Sequence, residues 1–294
     1  MRVCIRVFGI VQGVGFRPTV KRHADACDIA GSVSNKGPYV EIFAEGSEEC
    51  VHSFIKQIQE EPPKRAVILK LDVENVESGE DGIHKVESET DSKEKFQIIE
   101  SEKEEGEIFV SPDIAICPEC KKELYDKNDR RYLHPFINCT CCGPRLTILD
   151  SMPYDRVRTS MGEFPMCEKC EYEYTHAETR RFDAQPVCCN DCGPEVYLLG
   201  RKERGADAIR YTRKVISEGG IVAVKGIGGF HLCFDAAKEE TVARLRQRKK
   251  RPMKPFAVMM KDLDVVRREC ETEPHLEEIL DGHQKPIILL PKKE

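Results

Sequence analysis

The sequence predicts an α+β protein of several domains, and three observations lead to this prediction. The first hundred residues alternate short β-branched runs with stretches of helical periodicity. The middle of the chain holds two cysteine modules of matching design. From residue 205 onward, helix and strand patterns alternate again, which predicts a further α/β region. Because 294 residues are many for one core, we expect three domains, over residues 1–101, 102–197 and 198–294.

The N-terminal domain is predicted from its elements in chain order. These elements are a strand over residues 2–9, a helix over 18–30, a strand over 39–44, a helix after Ser47, and strands over 66–74 and 95–99. The first helix is expected to stop at Gly31, because glycine tolerates the left-handed backbone that ends many helices. Strand, helix, strand, helix and strand, with one additional strand, is the pattern of a small ferredoxin-like sandwich.

The turn between the first strand and the first helix has the composition of an anion-binding loop. Gly13 and Gly15 let successive backbone N–H groups point into one concavity. Pro18 suits the first position of a helix. The positive end of that helix dipole would face the loop, so we expect the loop to bind an anion.

The two cysteine modules predict two structural zinc sites. Each module has two Cys-x-x-Cys pairs that are eighteen residues apart, and Gly-Pro follows each second pair. The eight cysteines are Cys117, Cys120, Cys139, Cys142, Cys167, Cys170, Cys189 and Cys192. A Cys-x-x-Cys pair on a tight turn presents two thiolates about one tetrahedral edge apart, so two pairs fill a four-coordinate Zn²⁺ site.

The cysteine pattern leaves some alternatives open. The modules are internal repeats, and sequential pairing of the ligands is favoured, although interleaved sites fit the spacing. Iron is the second choice of metal. Cys141 and Cys188 are spare thiols, and His134 and His176 are substitute ligands. A disulfide scaffold is disfavoured because the chain has no export signal.

Charge and hydropathy exclude some classes of protein. The net charge of −6 argues against a protein that binds nucleic acid over its whole surface. The sequence has no long apolar run and no signal peptide, so we expect a cytoplasmic location and no membrane partner. The acidic stretch over residues 77–107 is expected to be a linker that one strand interrupts.

The C-terminal part is predicted from three elements. A helix over residues 206–218, a strand over 221–225 and a helix over 239–250 follow one another, with a glycine-rich turn over 226–229. A basic cluster over 244–254 beside such a turn suggests a site for a polyphosphate or nucleotide. The competing interpretation is a solvated basic helix end.

Two motifs of the N-terminal domain resemble those of acylphosphatases. Residues 9–17, GIVQGVGFR, resemble the phosphate-binding signature of that family, and residues 31–35, GSVSN, resemble its second motif. The resemblance implies that Arg17 grips the phosphate and that Asn35 orients the attacking water. A guanidinium fork matches two phosphate oxygens, and a neutral amide holds water without charge repulsion.

The order of the regions resembles one family of larger enzymes. Residues 225–232 and 248–257 resemble the nucleotide-binding core of YrdC-like domains, which make carbamoyl-adenylates. An acylphosphatase, a double four-cysteine zinc-finger region and a partial α/β YrdC-like domain are the first parts of hydrogenase-maturation carbamoyltransferases, the HypF family. The residues that the resemblance implies for nucleotide or carbamoyl binding are Lys225, Lys249, Arg251 and Lys254.

The resemblance implies a sequence of reactions. Carbamoyl phosphate is hydrolysed at the acylphosphatase site, and the carbamate is condensed with ATP to carbamoyl-adenylate. The carbamoyl group then passes to the C-terminal cysteine of a HypE-type partner. Because the YrdC-like part is expected to be incomplete, we expect a fragment, a truncated form or a split gene product. In the last case a separate chain would supply the missing domains. Zinc is expected to be structural, so its removal should leave hydrolysis largely intact.

Three other functions stay open at this point. The first is a simple acylphosphatase with a zinc-binding interaction region, and it would need no ATP. The second is a YrdC-type tRNA-modification factor, which would have no use for Arg17 and Asn35. The third is a zinc scaffold without enzymatic activity.

Overall fold

A computed structural model describes residues 1–76, 95–102 and 110–293 of the chain. Much of the acidic linker expected over residues 77–107 lies outside these ranges. The strands are β1 Arg2–Ile10, β2 Ala30–Asn35, β3 Tyr39–Glu45, β4 Val67–Asn75, β5 Phe96–Ile98, β6 Val222–Lys225 and β7 Phe230–Cys233. The helices are α1 Phe16–Ala26, α2 Glu48–Glu60, α3 Pro118–Tyr125, α4 Glu168–Thr175, α5 Gly205–Ser217, α6 Glu239–Lys249, α7 Leu263–Glu269 and α8 Pro274–Asp281.

The chain divides into two compact units. Unit 1 contains Met1–Asp113 and Phe136–Gly193, and unit 2 contains Ile114–Pro135 and Pro194–Glu294. A large part of the cysteine-rich region therefore belongs to the same unit as the N-terminal sandwich. The whole second cysteine module, over residues 167–192, lies in unit 1.

The sandwich of unit 1 has a five-stranded sheet in the order β4-β1-β3-β2-β5. β2 and β5 are parallel, and the other neighbours are antiparallel. Val3, Ile5 and Val7 alternate along β1 and are buried in the core with Phe54 and Ile58 of α2. The alternation places one side of the central strand against apolar side chains, as a half-buried strand requires. The expected ferredoxin-like α+β sandwich is confirmed.

The first helix and the second strand differ from the expectation. The helix expected over residues 18–30 runs from Phe16 to Ala26, and the chain then turns at Asp28, whose φ is 55°. Residues 30–35 form β2, which was not predicted. Its glycine and serines have low strand propensity, but Val33 pairs with Ile42 of β3 and is fully buried. Tertiary pairing therefore decides the conformation of this segment.

Unit 2 contains the three elements expected after residue 205. The helices expected over 206–218 and 239–250 and the strand over 221–225 are present within one residue of the predicted ends. β6 and β7 form an antiparallel hairpin, and β7, α7 and α8 were not predicted. Among the described residues, none of the helices combines the length and the apolar character that crossing a bilayer requires.

The pairing of β2 with β3 leads to a test at Gly31. Its φ is 145°, and an added Cβ would overlap the carbonyl oxygen of Phe43 on β3. We expect Gly31→Ala to lower the free energy of unfolding by about 3 kcal/mol, because both the backbone and the strand spacing must change. Urea unfolding followed by circular dichroism measures the effect.

The matched control is Gly228→Ala. A Cβ at Gly228 meets nothing within 4 Å, so we expect a change below about 0.5 kcal/mol. Equal changes in the free energy of unfolding for the two substitutions would contradict the close approach of β2 and β3 at Gly31.

Candidate functional site

The loop that joins β1 to α1 contains two glycines in the left-handed backbone conformation. Gly13 and Gly15 have φ values of 70° and 79°, which lie in the left-handed region that glycine adopts without strain. α1 begins directly after Gly15, and no side chain in the described part of the sequence caps its first turn. The N–H groups at the start of α1 therefore remain available to an anion, and the helix dipole favours negative charge at the same place.

A cavity lies at this loop, and two parts of unit 1 line it. The sandwich contributes the loop itself, Arg17 and Asn35. The cysteine-rich part of unit 1, Phe136–Gly193, contributes Thr140, Arg145, Tyr154, Asp183 and Gln185. The structure thus brings the two residues implied by the acylphosphatase resemblance to one cavity, and it adds polar groups from the cysteine-rich part.

Arg17 is buried and lies between two carboxylates. Its Nη1 donates to Asp155 Oδ1 and to Ser101 Oγ, each at 3.1 Å. Its Nε lies 3.1 Å from Asp183 Oδ2. Burial alone would lower the pKa of Arg17, but the negative charges of Asp183 and Asp155 raise it. The guanidinium therefore stays a cation inside the protein.

Asp183 is the more deeply buried of the two carboxylates, with a side chain 12% exposed against 18% for Asp155. Burial raises the pKa of Asp183, and the Asp155 charge adds to this effect, whereas Arg17 opposes it. Gln185 Nε2 donates to Asp183 Oδ1 at 2.8 Å. The Asp183 carboxylate is thus fixed by an ion pair with Arg17 and by a hydrogen bond from Gln185.

Asn35 ends β2 and lines the cavity with an oxygen that lacks a partner. The residue is 1% exposed, and its Oδ1 has no hydrogen-bond partner within the described part of the chain. An unpaired buried amide oxygen costs about 1–3 kcal/mol. A hydrogen-bond donor that enters the cavity, such as a water molecule, would remove this cost.

Residues of the cysteine-rich part hold the loop in place. Arg145 is 1% exposed, and its guanidinium donates to the carbonyl oxygens of Gly13 and, at 2.9 Å, of Thr140. The N–H of Tyr154 donates to Gln12 Oε1 at 3.4 Å. Because these bonds reach both the loop and the turn after Cys139, the two parts support each other.

Sequence reasoning did not identify Arg145, Asp155 or Asp183 as functional residues. Arg145 and Asp155 lie between the two cysteine modules, in a segment without a recognisable motif. Asp183 did carry a signal, because the equivalent position of the first module is Leu133. A change from leucine to an acid inside a repeat indicates a local role.

The sulfur atoms of the cysteine modules form two groups. The Sγ atoms of Cys117, Cys120, Cys139 and Cys142 lie within 4.8 Å of one another, and so do those of Cys167, Cys170, Cys189 and Cys192. The grouping is sequential, as the spacing favoured. Cys141, Cys188, His134 and His176 belong to neither group.

The distances in the second group fit tetrahedral zinc. A Zn–S bond of about 2.3 Å requires about 3.8 Å between sulfurs. The observed distances are 3.8 Å for Cys167–Cys189, 3.8 Å for Cys189–Cys192 and 3.6 Å for Cys170–Cys192. Four thiolates fill the coordination sphere, so zinc here would tie chain segments together and leave no open position for substrate.

Backbone N–H groups support thiolates in both modules. The N–H of Cys141 donates to Cys139 Sγ at 3.3 Å, and the N–H of Asp191 donates to Cys189 Sγ at 3.4 Å. Burial alone would raise the pKa of the Cys167 thiol, but hydrogen bonds from the Cys170 N–H and from neighbouring sulfurs lower it to about 7. Deprotonated sulfur is the form that binds zinc.

The basic residues implied for nucleotide binding lie in unit 2. Lys249 ends α6, and Arg251 and Lys254 follow it. Arg246 Nη1 donates to the carbonyl oxygens of Arg251 at 3.2 Å and Lys254 at 3.0 Å, which fixes this segment. Lys225 ends β6, with its Nζ 5.8 Å from the centre of the Phe230 ring. Three of the four residues are therefore in one segment.

Comparison with known families assigns each region. The acylphosphatase model matches residues 3–97, and the HypF finger model matches residues 116–149 and 166–199. The telomere recombination model of Sua5, YciO and YrdC matches residues 214–294. The probable carbamoyltransferase HypF of Methanocaldococcus jannaschii is 48% identical over 299 residues, which cover 100% of this chain and 38% of that protein. The chain belongs to the HypF family.

Other HypF proteins agree with this result. The carbamoyltransferase HypF of Synechocystis is 43% identical over 99% of this chain and 37% of its own length. A crystal structure of full-length HypF in a phosphate- and nucleotide-bound form has a TM-score of 0.89 and 46% identity, over 99% of this chain and 37% of that one. For T. kodakarensis HypF the TM-score is 0.85 and the identity 42%, over 100% and 36%. The chain thus spans just over a third of the length of these HypF proteins.

The sulfur geometry leads to a test by metal content. We expect about two zinc ions per chain in the native protein and about one in Cys170→Ser, because serine replaces a fully buried thiolate of the second group. Cys141→Ser is the matched control, because Cys141 is exposed and belongs to neither group. Mass spectrometry of the metals measures the content. Two zinc ions retained in Cys170→Ser would contradict the assignment.

Proposed function

We propose that the cavity of unit 1 hydrolyses carbamoyl phosphate, as the first reaction of a carbamoyltransferase of hydrogenase maturation. The observation that carries this proposal is the meeting of three groups at one cavity: the uncapped start of α1, the cationic Arg17 and the unpartnered Oδ1 of Asn35. The HypF structure with bound phosphate and nucleotide supports it, because 46% of its aligned residues are identical.

Each group has a part in the proposed reaction. The N–H groups of the loop and the Arg17 guanidinium hold the phosphate oxygens and stabilise their charge. Asn35 Oδ1 accepts a hydrogen bond from water and places it in line with phosphorus. The water oxygen forms a bond to phosphorus while the bond from phosphorus to the carbamoyl oxygen breaks. Carbamate leaves, and the proton of the water passes to a phosphate oxygen.

The later steps belong to the same proposal. Carbamate and ATP would form carbamoyl-adenylate in the YrdC-like region, with Lys225, Lys249, Arg251 and Lys254 binding phosphate or carbamoyl oxygens. The carbamoyl group would then pass to a HypE-type protein. We also propose domain borders near residues 101 and 197 and a cytoplasmic location.

Family membership favours this function over the alternatives. A simple acylphosphatase accounts for residues 3–97 alone, and a YrdC-type factor accounts for residues 214–294 alone. The HypF relatives account for the zinc region as well, because they align with 98–100% of the chain.

Substitution of the two cavity residues tests the proposal. We expect Arg17→Ala and Asn35→Ala each to lower kcat/KM for carbamoyl phosphate by about 100-fold or more, because each removes a group that stabilises or places the reacting atoms. Arg22→Ala is the control, because Arg22 is an exposed arginine of the same helix. Phosphate release is measured with uncatalysed decay subtracted. Full activity in Arg17→Ala would overturn the proposal.

Removal of zinc gives a second test of the proposal. Because the cysteine-rich part lines the cavity, the expected result differs from the one that the sequence alone favoured. The sequence alone favoured hydrolysis that does not depend on zinc, but Arg145, Tyr154 and Asp183 line the cavity from the cysteine-rich part. We expect a chelator that removes both zinc ions to lower hydrolysis by about tenfold, with recovery when Zn²⁺ returns. Unchanged hydrolysis in the metal-free protein would contradict this dependence.

A further inference from the structure

The second cysteine module carries an acid where the first carries leucine, on the same backbone. Leu133 has a φ of 54° and Asp183 has a φ of 55°. The N–H of Leu133 donates to Leu124 O, and the N–H of Asp183 donates to Tyr174 O, both at 2.9 Å. The repeats therefore share one conformation here, and the side chains differ.

The two oxygens of Asp183 have different sets of partners. Oδ1 accepts from Gln185 Nε2 at 2.8 Å. The orientation of Gln185 is fixed, because its Oε1 accepts from the N–H of Arg156 at 2.7 Å and from the hydroxyl of Tyr174 at 3.0 Å. Oδ2 lies 3.1 Å from Arg17 Nε. Oδ1 also accepts from Arg17 Nη2 at 3.5 Å. Oδ1 therefore keeps the Gln185 donor without Arg17, whereas Oδ2 depends on its ion pair with Arg17.

Asp155 does not share this dependence. Its Oδ1 accepts from Arg17 at 3.1 Å, and its Oδ2 pairs with Arg158 at 3.1 Å. If a bound phosphate drew the Arg17 donors to itself, Asp155 would keep a cationic partner. Asp183 Oδ2 would lose its ion pair with Arg17 in a buried place, which is unfavourable unless the substrate supplies a hydrogen-bond donor.

We infer that Asp183 determines specificity for acyl phosphates that carry an amino group, because that group can donate to Oδ2 when phosphate engages Arg17. The inference rests on the proposed function and deepens it. Carbamoyl phosphate has an N–H donor next to its carbonyl group, whereas acetyl phosphate has a methyl group of similar size there. A site built to receive a hydrogen bond rejects an analogue that lacks the donor.

The test compares the two substrates in the full chain. We expect the native protein to prefer carbamoyl phosphate over acetyl phosphate in kcat/KM. In Asp183→Leu the ratio of the two kcat/KM values should fall by about tenfold or more. The backbone of the first module accepts leucine in this conformation, which favours folding of the variant. Asp183→Ala should give the same fall, and it excludes a steric effect of leucine.

Asp155→Asn is the matched control. This substitution removes the charge of the other acid that pairs with Arg17. We therefore expect it to change kcat/KM for both substrates by the same factor, so that the ratio of the two values stays the same. Zinc content and circular dichroism identify variants that fold. A separate acetyl phosphate assay at several concentrations shows whether a change lies in KM or kcat.

The outcomes separate this inference from the proposed function. A native protein that hydrolyses neither substrate would overturn both. Hydrolysis without preference, or a ratio that stays unchanged in Asp183→Leu and Asp183→Ala, would overturn the role of Asp183 alone. An equal loss of preference in Asp155→Asn would also overturn it, because the effect would then come from the charge on Arg17.

Discussion

The buried ion pairs of Arg17 are the interaction on which the rest of unit 1 depends. A guanidinium that is only 8% exposed is stable when its charge is compensated and its N–H groups are bonded. The sandwich supplies the cation, and the cysteine-rich part supplies Asp155 and Asp183. Each part would otherwise bury uncompensated charge at this place. The cavity at the β1–α1 loop is therefore lined by residues of two regions that the sequence presents as separate domains.

The zinc sites explain how a small region can hold such charges in position. Its apolar clusters are small: one has Ala184 and Val187 as its buried non-cysteine residues, and another has Ile148 and Met161. Few apolar side chains give little folding free energy, and zinc bound at the two cysteine groups would supply the remainder. The turn that carries Asp183 lies six residues before Cys189. Zinc bound by these cysteines would therefore act on the cavity at the β1–α1 loop through the backbone.

Local signals in the sequence predicted the parts whose structure is decided locally. The Ser47 cap, the glycine loop and the repeated cysteine spacing each act over a few residues, and each appears in the structure. β2 was missed because its strand conformation comes from pairing with β3 and not from its own residues. The link between Arg17 and Asp183 spans 166 residues, and periodicity carries no information on such contacts. The repeat itself held a clue, since an acid at position 183 departs from Leu133.

Hydrogen exchange with and without zinc tests most directly whether the cysteine-rich part supports the anion loop. The amides of Val11–Arg17 are the probe within residues 11–18, because Pro18 has no N–H, and those of β3 in the same sheet are the internal reference. We expect zinc removal to increase exchange over residues 11–18 by about tenfold or more, because bonds from Arg145 and Tyr154 are lost, while β3 keeps its protection. Unchanged protection of residues 11–18 in the zinc-free protein would contradict the account.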